Sequence, residues 1–258
     1  MNMDKYEVGK HLGKGKFGIV HLGRIKETGQ LVAIKIIDKA HIARSRLKDQ
    51  VKSEVTILKL VDHPYIAKYI DYIETDDHYV IITNFTEGTE IYKVLQREKT
   101  FPETRVKKYI SQLVQAVGYL HQQNIVHRDI KLENIILTLN DDIILVDFGW
   151  SVISDSPDTK YNDLVGTLDY LCPEMVKYEY YDSSSDIWAI GVLAYEMVDG
   201  KAPFNHGTYK ATYDHIRRIQ YNISLSYSDE FRDFIQKIFQ RQNNRITIEE
   251  MKSHPFLL

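Results

Sequence analysis

The sequence predicts an α+β fold of two lobes, a small antiparallel β-sheet lobe with one long helix followed by a larger helical lobe. Two features indicate this. Short runs of β-branched residues separated by turns fill the first third of the chain, whereas apolar residues at helical spacing dominate after residue 85. We therefore assign residues 1–258 to a single domain, with an N-terminal lobe at 1–85 and a C-terminal lobe at 86–258.

The composition narrows the class of protein. The 33 Lys and Arg residues nearly balance 36 Asp and Glu residues, and a net charge of −3 gives no general attraction to nucleic acid or acidic membranes. The single cysteine, Cys172, excludes an internal disulfide and fits a reducing intracellular compartment. No apolar stretch is long enough to span a membrane, and the first residues lack the apolar core of a signal peptide. We expect no direct nucleic-acid or membrane partner.

The predicted elements follow the division into lobes. β-Branched, partly alternating patterns predict strands at residues 6–12, 19–24, 31–37 and 79–83. Helical periodicity predicts one helix at 45–61. In the second lobe, residues 186–198 are apolar on nearly every side, which suits a buried helix. A long amphipathic helix precedes them, with an apolar face formed by Val106, Ile110, Leu113, Val117 and Leu120.

Two short apolar runs in the second lobe, 135–137 and 143–146, predict a β-hairpin. A hairpin brings its open ends together, so Asn134 and Asp147 should become neighbours, with Asp129 close behind. An amide and two carboxylates at one rim form a place to hold a divalent metal and a triphosphate. The sequence therefore predicts a phosphotransferase.

A glycine-rich turn precedes the second strand, with Gly13, Gly15 and Gly18 in a G-x-G-x-x-G pattern. In a dinucleotide-binding turn this pattern leads into a helix, whereas here a strand follows from Ile19. The turn is then a flexible cover whose backbone amides bind phosphates, or a glycine hairpin without a ligand. The Val-Ala-Ile-Lys sequence at 32–35 on the next strand favours the first interpretation.

Glu54 lies within the apolar face of its predicted helix, close in angle to Leu58 and Val61. A carboxylate in that place is costly unless it is paired with a cation. Lys35, on an otherwise apolar strand, is the natural partner and could still reach α- and β-phosphates. The alternative is an ion pair with a purely structural role.

These features occur in the order found in eukaryotic protein kinases, which the chain resembles over essentially its whole length. The order is a glycine-rich loop, Val-Ala-Ile-Lys, a helix glutamate, His-Arg-Asp with an asparagine five residues on, Asp-Phe-Gly and Pro-Glu. At 12–18, 147–152 and 166–171 the sequence strongly resembles the Aurora mitotic kinases. The resemblance implies a bilobal kinase fold and transfer of the γ-phosphoryl group of ATP, with Mg²⁺, to protein Ser or Thr residues.

Residues of the sequence disfavour two alternative functions. A pseudokinase, which binds without chemistry, predicts loss of Lys35, Asp129 or Asp147, and all three are present. A protein kinase outside the Auroras, of polo-like or cyclic-nucleotide type, is disfavoured by Trp150 and by the Thr-Leu-Asp-Tyr sequence at 167–170.

The resemblance assigns roles to individual residues. Asp129 would accept or orient the substrate hydroxyl proton, and Lys131 would stabilise the transferring phosphoryl group. Lys35 and Glu54 complete the catalytic set, and Asn134 and Asp147 would hold Mg²⁺. The residues implied in ATP binding lie in the glycine-rich loop, the neighbouring strands and the crossover between lobes: Leu12, Gly13, Gly15, Gly18, Val20, Ala33, Lys35, Ile82, Thr83 and Phe85.

Within this set, registration on Gly88 makes Ile82 the gatekeeper, with Thr83 and Phe85 offering backbone groups to adenine. Thr167 facing Lys131 fits a Ser/Thr kinase.

Three further residues have structural roles by resemblance. Glu174 would form a buried salt bridge with Arg245, and Asp186 would anchor the catalytic loop.

Substrate choice and partners are also implied. Glu133 and Glu196 match acidic positions that, in basophilic kinases, meet an arginine before the phosphoacceptor, and arginine pairs bidentately with carboxylate. The alternative is two ordinary glutamates. By family resemblance, the N-terminal lobe docks an activator segment of the inner-centromere-protein type or of a spindle-protein type. The resemblance also implies that the enzyme acts in the nucleus at chromosomes and on the spindle in mitosis.

The loop that follows Asp-Phe-Gly departs from the family. Asp163 stands where Auroras carry their activating threonine, and Arg128 normally receives the loop phosphate. One hypothesis is that Asp163 partly substitutes for phosphothreonine, although it has less charge and fewer acceptor oxygens than a phosphate. Two alternatives remain: Asp163 is a plain solvated residue, or Thr159 is phosphorylated instead.

Overall fold

The computed structural model describes residues 3–15, 17–45 and 48–258. Lys16 of the glycine-rich turn, and Arg46 and Leu47 of the predicted helix at 45–61, lie outside the described residues. No helix of the described part of the chain is both long and apolar enough to cross a membrane.

The N-terminal lobe is a five-stranded antiparallel sheet preceded by a short 3-10 helix, Met3–Lys5. Its strands, in the spatial order β1-β2-β3-β5-β4, are β1 (Tyr6–Lys14), β2 (Ile19–Ile25), β3 (Leu31–Asp38), β4 (Tyr69–Glu74) and β5 (His78–Asn84). The four predicted strands are confirmed, each longer than expected. The edge strand β4 was not predicted, because its sequence, Tyr-Ile-Asp-Tyr-Ile-Glu, lacks the apolar–polar alternation of a half-buried strand, and Ile73 is its single fully buried residue.

The helical part of this lobe consists of α1 (Lys39–Ser45) and α2 (Lys48–Leu60), where the sequence predicted one helix at 45–61. The missed helix α1 begins directly after β3. Its start is fixed by the Asp38 carboxylate, which accepts a hydrogen bond from the His41 amide at 3.0 Å and so satisfies an N-terminal donor.

The C-terminal lobe is mostly helical, as predicted. Its helices are α3 (Ile91–Glu98), α4 (Glu103–Gln122), α5 (Pro173–Val176), α6 (Ser184–Asp199), α7 (Tyr209–Arg218), α8 (Asp229–Ile238) and α9 (Ile248–Lys252). The predicted apolar face of α4 is buried throughout, and α6 is buried along nearly its whole length. The α+β prediction is therefore confirmed.

The C-terminal lobe also contains short strands. Strands β6 (Gly88–Glu90), β8 (Ile135–Thr138) and β9 (Ile143–Leu145) form a three-stranded sheet, and β7 (Ile125–Val126) pairs with β10 (Val152–Ile153). Strands β8 and β9 are the predicted hairpin, with antiparallel pairs from Ile135 and Leu145 inward.

The apolar core divides at the N-terminal sheet. One face of the sheet packs with α2 and the C-terminal lobe in a single large core that includes Ile37 and Ile81. The other face carries a small separate core of Tyr6, Val32, Ile34, Ile73, Val80 and Ile82. Alternate residues of β3 and β5 therefore point to different cores, which decides which of them face the cleft.

Candidate active site

A cleft of about 570 Å³ lies between the lobes and gathers most of the predicted site residues. The sheet contributes the glycine turn and the strands around it: Leu12, Gly13, Gly15, Val20, Ala33 and Lys35. The second lobe contributes the polar groups at the open end of the β8–β9 hairpin and the loop before it: Asp129, Lys131, Glu133, Asn134 and Asp147.

Lys35 joins the two lobes. Its Nζ lies 2.7 Å from Glu54 Oε1 on α2 and 2.8 Å from Asp147 Oδ1 of the Asp-Phe-Gly sequence. Burial works against the lysine charge, but the carboxylates of Asp147 and Glu54 outweigh it and raise the pKa of Lys35. The lysine is therefore a fixed positive charge at the cleft, in the place expected for a phosphate-binding cation.

The two carboxylates respond differently to this lysine. Glu54 is only 2 % exposed, and burial raises its pKa in spite of the nearby lysine. For Asp147, burial also opposes ionisation, but Lys35 prevails and lowers the pKa. Asp147 is thus held as a carboxylate at the cleft.

The hairpin places Asn134 next to Asp147, because Val146 donates its amide to the Asn134 carbonyl at 2.9 Å. The Asn134 side-chain amide donates to the Asp129 carbonyl at 2.8 Å and to Asp129 Oδ2 at 3.1 Å. This leaves the Asn134 amide oxygen and the Asp147 carboxylate as hard oxygen donors at one rim. The pair fits Mg²⁺, which binds one or two protein oxygens and completes its octahedron with phosphate and water.

Asp129, Lys131 and Thr167 form a second polar group in the cleft. Lys131 Nζ donates to Asp129 Oδ2 at 2.8 Å and to Thr167 Oγ1 at 2.9 Å, and Thr167 Oγ1 donates to Asp129 Oδ1 at 3.1 Å. Asp186, at the start of α6, accepts the backbone amides of His127 and Arg128 at 2.9 and 2.8 Å. The loop that carries Asp129 is therefore fixed to the buried helix.

The prediction that Ile82 is the gatekeeper residue is wrong. Ile82 pairs with Ile34 across the sheet and is fully buried with Val32 in the small outer core, away from the cleft. The alignment anchored on Gly88 placed the gatekeeper one residue too early in β5. A shift of one residue in a strand moves every side chain to the opposite face of the sheet.

The β5 residues that line the cleft are Ile81 and Thr83, which pair with Lys35 and Ala33 of β3. Thr83 lines the cleft beside the crossover that includes Phe85. Thr83 pairs with Ala33, so its side chain lies on the cleft face of the sheet. The predicted backbone contacts of Thr83 and Phe85 with adenine stay a prediction.

Gly18 is also not part of the cleft lining, contrary to its predicted ATP contact. A Cβ at this position would lie 2.3 Å from the Ile36 carbonyl oxygen, so glycine is needed where the turn crosses β3. Its carbonyl accepts the Gly15 amide at 2.9 Å, which closes the turn.

A group of acidic residues, Glu133, Asp169 and Glu196, adjoins the cleft at Glu133. Tyr170 donates its hydroxyl to Glu196, and burial raises the pKa of Glu196 to about 7, with the charges of Glu133 and Asp169 adding to the shift. Within the part of the chain that the structure describes, none of these three carboxylates has a basic side chain within 4.0 Å. Sequence reasoning missed Asp169, although it lies inside the Gly-Thr-Leu-Asp-Tyr-Leu stretch.

The predicted loop contact is formed. Arg128 Nη1 lies 2.8 Å from Asp163 Oδ2 and 3.0 Å from Asp163 Oδ1, and Arg128 Nε donates to the Trp150 carbonyl at 2.8 Å. Among the described residues, the hydrogen bonds of Thr159 are local, and its hydroxyl accepts the Ser156 amide at 3.1 Å.

The predicted structural salt bridge is also present. It joins Glu174 Oε2 to Arg245 Nη2 at 2.9 Å in the buried part of the C-terminal lobe.

Comparison with known proteins identifies the family. The sequence model of the protein kinase domain matches residues 6–257. The chain is 36 % identical to an Aurora kinase of Saccharomyces cerevisiae over 259 residues, covering 100 % of this chain and 70 % of that protein. It is 36 % identical to Aurora kinase C of Mus musculus, covering 99 % of this chain and 92 % of the mouse protein. The chain belongs to the Aurora kinases.

Other Aurora kinases give the same result. The Schizosaccharomyces pombe relative is 37 % identical, with 98 % of this chain and 71 % of that protein covered. Aurora kinase A-A of Xenopus laevis is 35 % identical, and the chain spans 63 % of its length. As a member of this family the chain is a serine/threonine protein kinase, a transferase that acts on protein substrates, and protein kinases in general use ATP and Mg²⁺.

Proposed function

We propose that this Aurora kinase transfers the γ-phosphoryl group of MgATP to Ser or Thr residues preceded by arginine, and that it acts at chromosomes and on the spindle in mitosis. The observation that carries the chemistry is the convergence of Lys35, Asp147 and Asp129 on one cleft. Family membership supports the mitotic role and the intracellular, nuclear location.

The residues of the cleft divide the work of phosphoryl transfer. Lys35 would bind the α- and β-phosphates, and Asn134 and Asp147 would hold Mg²⁺, which would supply positive charge to neutralise the phosphates. Asp129 accepts or orients the proton of the substrate hydroxyl. Lys131, 2.8 Å from Asp129, places a positive charge where the transferring phosphoryl group gains negative charge.

The proposed recognition of a substrate arginine rests on the acidic residues Glu133, Asp169 and Glu196, which have no basic partner among the described residues. Burying Glu196 near Glu133 and Asp169 costs free energy, and an arginine side chain of the substrate would remove that cost while forming charge-assisted hydrogen bonds. We propose Glu133 and Glu196 as the substrate-recognition residues, with Asp169 as a third contributor.

The activator belongs to the same proposal. Gln50 and Ser53 of α2 donate their side chains to the Ser151 carbonyl at 3.1 and 3.2 Å, so α2 is tied to the loop after Asp-Phe-Gly. An inner-centromere-type segment bound on α2 would act on the active site through these bonds.

The proposal is tested by transfer of radiolabel from ATP to two peptides that differ only by arginine or alanine before the serine. We expect label on both, with kcat/KM higher for the arginine peptide by about tenfold or more, as for one desolvated ion pair. Repeating the assay with an inner-centromere-type peptide tests the activator. Equal rates for the two peptides would reject the arginine preference, and no label on any peptide would reject the activity.

A pH-dependent KM is expected for the arginine peptide. Because the pKa of Glu196 is about 7, this carboxyl loses its charge as the pH falls, and only the charged form pairs strongly with arginine. KM should rise by about tenfold between pH values of about 8 and about 6, as the ionised fraction falls. In the variant Glu196→Gln, KM should be high and nearly independent of pH. The same slope in this variant would exclude Glu196 as the titrating group.

A further inference from the structure

The Arg128 side chain, beside the catalytic Asp129, contacts Asp163, Tyr161 and Tyr181. This side chain is 3 % exposed, and its guanidinium lies 5.3 Å above the ring of Tyr161. The backbone of Arg128 has φ 65°, a conformation that is uncommon for a residue with a side chain and that persists only where neighbours fix it. The contacts of this guanidinium therefore help to set the position of Asp129.

Tyr181 supplies one of those contacts. It is 1 % exposed, its hydroxyl donates to Asp163 Oδ1 at 2.7 Å, and it accepts Arg128 Nη1 at 3.3 Å. The hydroxyl thus bridges the carboxylate and the guanidinium. Burial raises the pKa of Tyr181, so it remains a neutral donor.

The backbone reinforces this link. Tyr161 and Tyr181 exchange hydrogen bonds, with N–O distances of 2.8 and 2.9 Å, and their ring centroids are 5.6 Å apart. Next to this bridge Lys160 contacts Asp182. These contacts therefore hold the segment at 160–163 against the loop at 181–182, so that the Asp163 carboxylate lies next to the Arg128 guanidinium.

The positive charge around position 163 balances a carboxylate better than a phosphate. In the described residues, Arg128 is the one basic side chain within 4.0 Å of Asp163. A single cation neutralises one carboxylate, whereas a phosphate would bring a charge of about −1.5 to −2.

The segment also lacks a site that fits the proposed substrate preference, and here the inference rests on the proposed function. Lys160 is the only basic residue at 149–166, and it follows every Ser and Thr at 151–159. Ser156 and Thr159 each follow directly after an aspartate. An enzyme that selects arginine before its acceptor would not modify these residues efficiently.

We propose that Tyr181 is a positioning residue for phosphoryl transfer, which with Asp163 holds Arg128 and the catalytic loop in their active arrangement without phosphorylation of the loop at 150–166. Asp163 supplies the charge, and the Tyr181 hydroxyl fixes its orientation. Both act on Asp129 through Arg128.

The experiment compares Tyr181→Phe, Asp163→Asn and the double variant. Tyr181→Phe keeps the ring and Asp163→Asn keeps the shape, so both should fold, and thermal melting checks this. We expect each to lower kcat by about tenfold, as for loss of one hydrogen bond to a charged group, with little change in KM for ATP. The double variant should be no worse than Asp163→Asn, because the hydroxyl acts through the carboxylate. Tyr180→Phe, at a neighbouring tyrosine that is 67 % exposed, is the matched control and should leave kcat unchanged.

Phosphatase treatment of the wild-type enzyme tests whether activity depends on a phosphorylated loop. Activity should be unchanged, and the intact mass should show that full activity needs no phosphate. Loss of activity on treatment, additive effects in the double variant, or wild-type kcat in Tyr181→Phe would each overturn the inference. A wild-type enzyme that labels no peptide would instead reject the proposed function.

Discussion

The variant Asp129→Asn should lower kcat by about 10² to 10⁴-fold, the range for loss of a general base. The amide cannot accept the substrate proton, and its nitrogen cannot accept the hydrogen bonds that Asp129 receives from Lys131, Thr167 and Asn134. KM for ATP should change little, because the nucleotide charge is met by Lys35. Single-turnover rates with saturating ATP measure the effect.

The matched control for this variant is Asp158→Asn, at an exposed aspartate of the loop. It makes the same chemical change away from the cleft, and kcat should stay at the wild-type value. A kcat for Asp129→Asn within a factor of a few of wild type would mean that Asp129 is not the group that handles the proton.

The variant Lys35→Met should lower kcat/KM by about 10² to 10³-fold, the range for loss of one preorganised donor to developing charge. Methionine fills a similar volume but carries no charge, so the α- and β-phosphates lose their cation. Steady-state rates at several ATP concentrations measure the change. Unaltered kcat/KM would remove Lys35 from the ATP site.

The same variant should also be destabilised in a pH-dependent way. Without Lys35, the buried Glu54 keeps a folded-state pKa above its unfolded value, so the fold loses stability as the pH rises from the unfolded pKa toward the folded one. Breaking a buried pair costs about 3–5 kcal/mol. The loss of Tm relative to wild type should therefore be larger at a pH of about 8 than at about 5. In Lys35→Met/Glu54→Gln the pH dependence should become clearly weaker, and the part that remains belongs to Asp147, which has also lost Lys35. An undiminished pH dependence would show that Glu54 is not the titrating group.

Much of the site could be predicted because its residues are close in sequence or lie on regular elements. The β8–β9 hairpin needs only two apolar runs and a turn, and it brings Asn134 and Asp147 together. A cationic partner could be predicted for Glu54 because a carboxylate on an apolar helix face requires one. In the structure that partner is Lys35, whose Nζ lies 2.7 Å from the carboxylate. In both cases a local pattern fixes the geometry.

Other parts could not be predicted, because they depend on register or on distant contacts. Ile82 and Thr83 exchange faces with a shift of one residue, and no local signal distinguishes the two registers within a run of apolar residues. Tyr181 is 53 residues from Arg128 in the sequence, so its hydroxyl bridge is set by how the loop packs against α6. The tyrosine-rich strand β4 lacks the clear alternation of a half-buried strand.

The Thr83 side chain has a pharmacological consequence. Besides Thr83, the cleft lining includes the apolar side chains of Leu58, Ala67, Ile81 and Phe148. An aryl group of a ligand that covers these side chains gains buried apolar area, and threonine occupies less of the cleft than a larger residue would. Inhibitors that use this space would thus be selected by shape against kinases whose corresponding side chain is bulky.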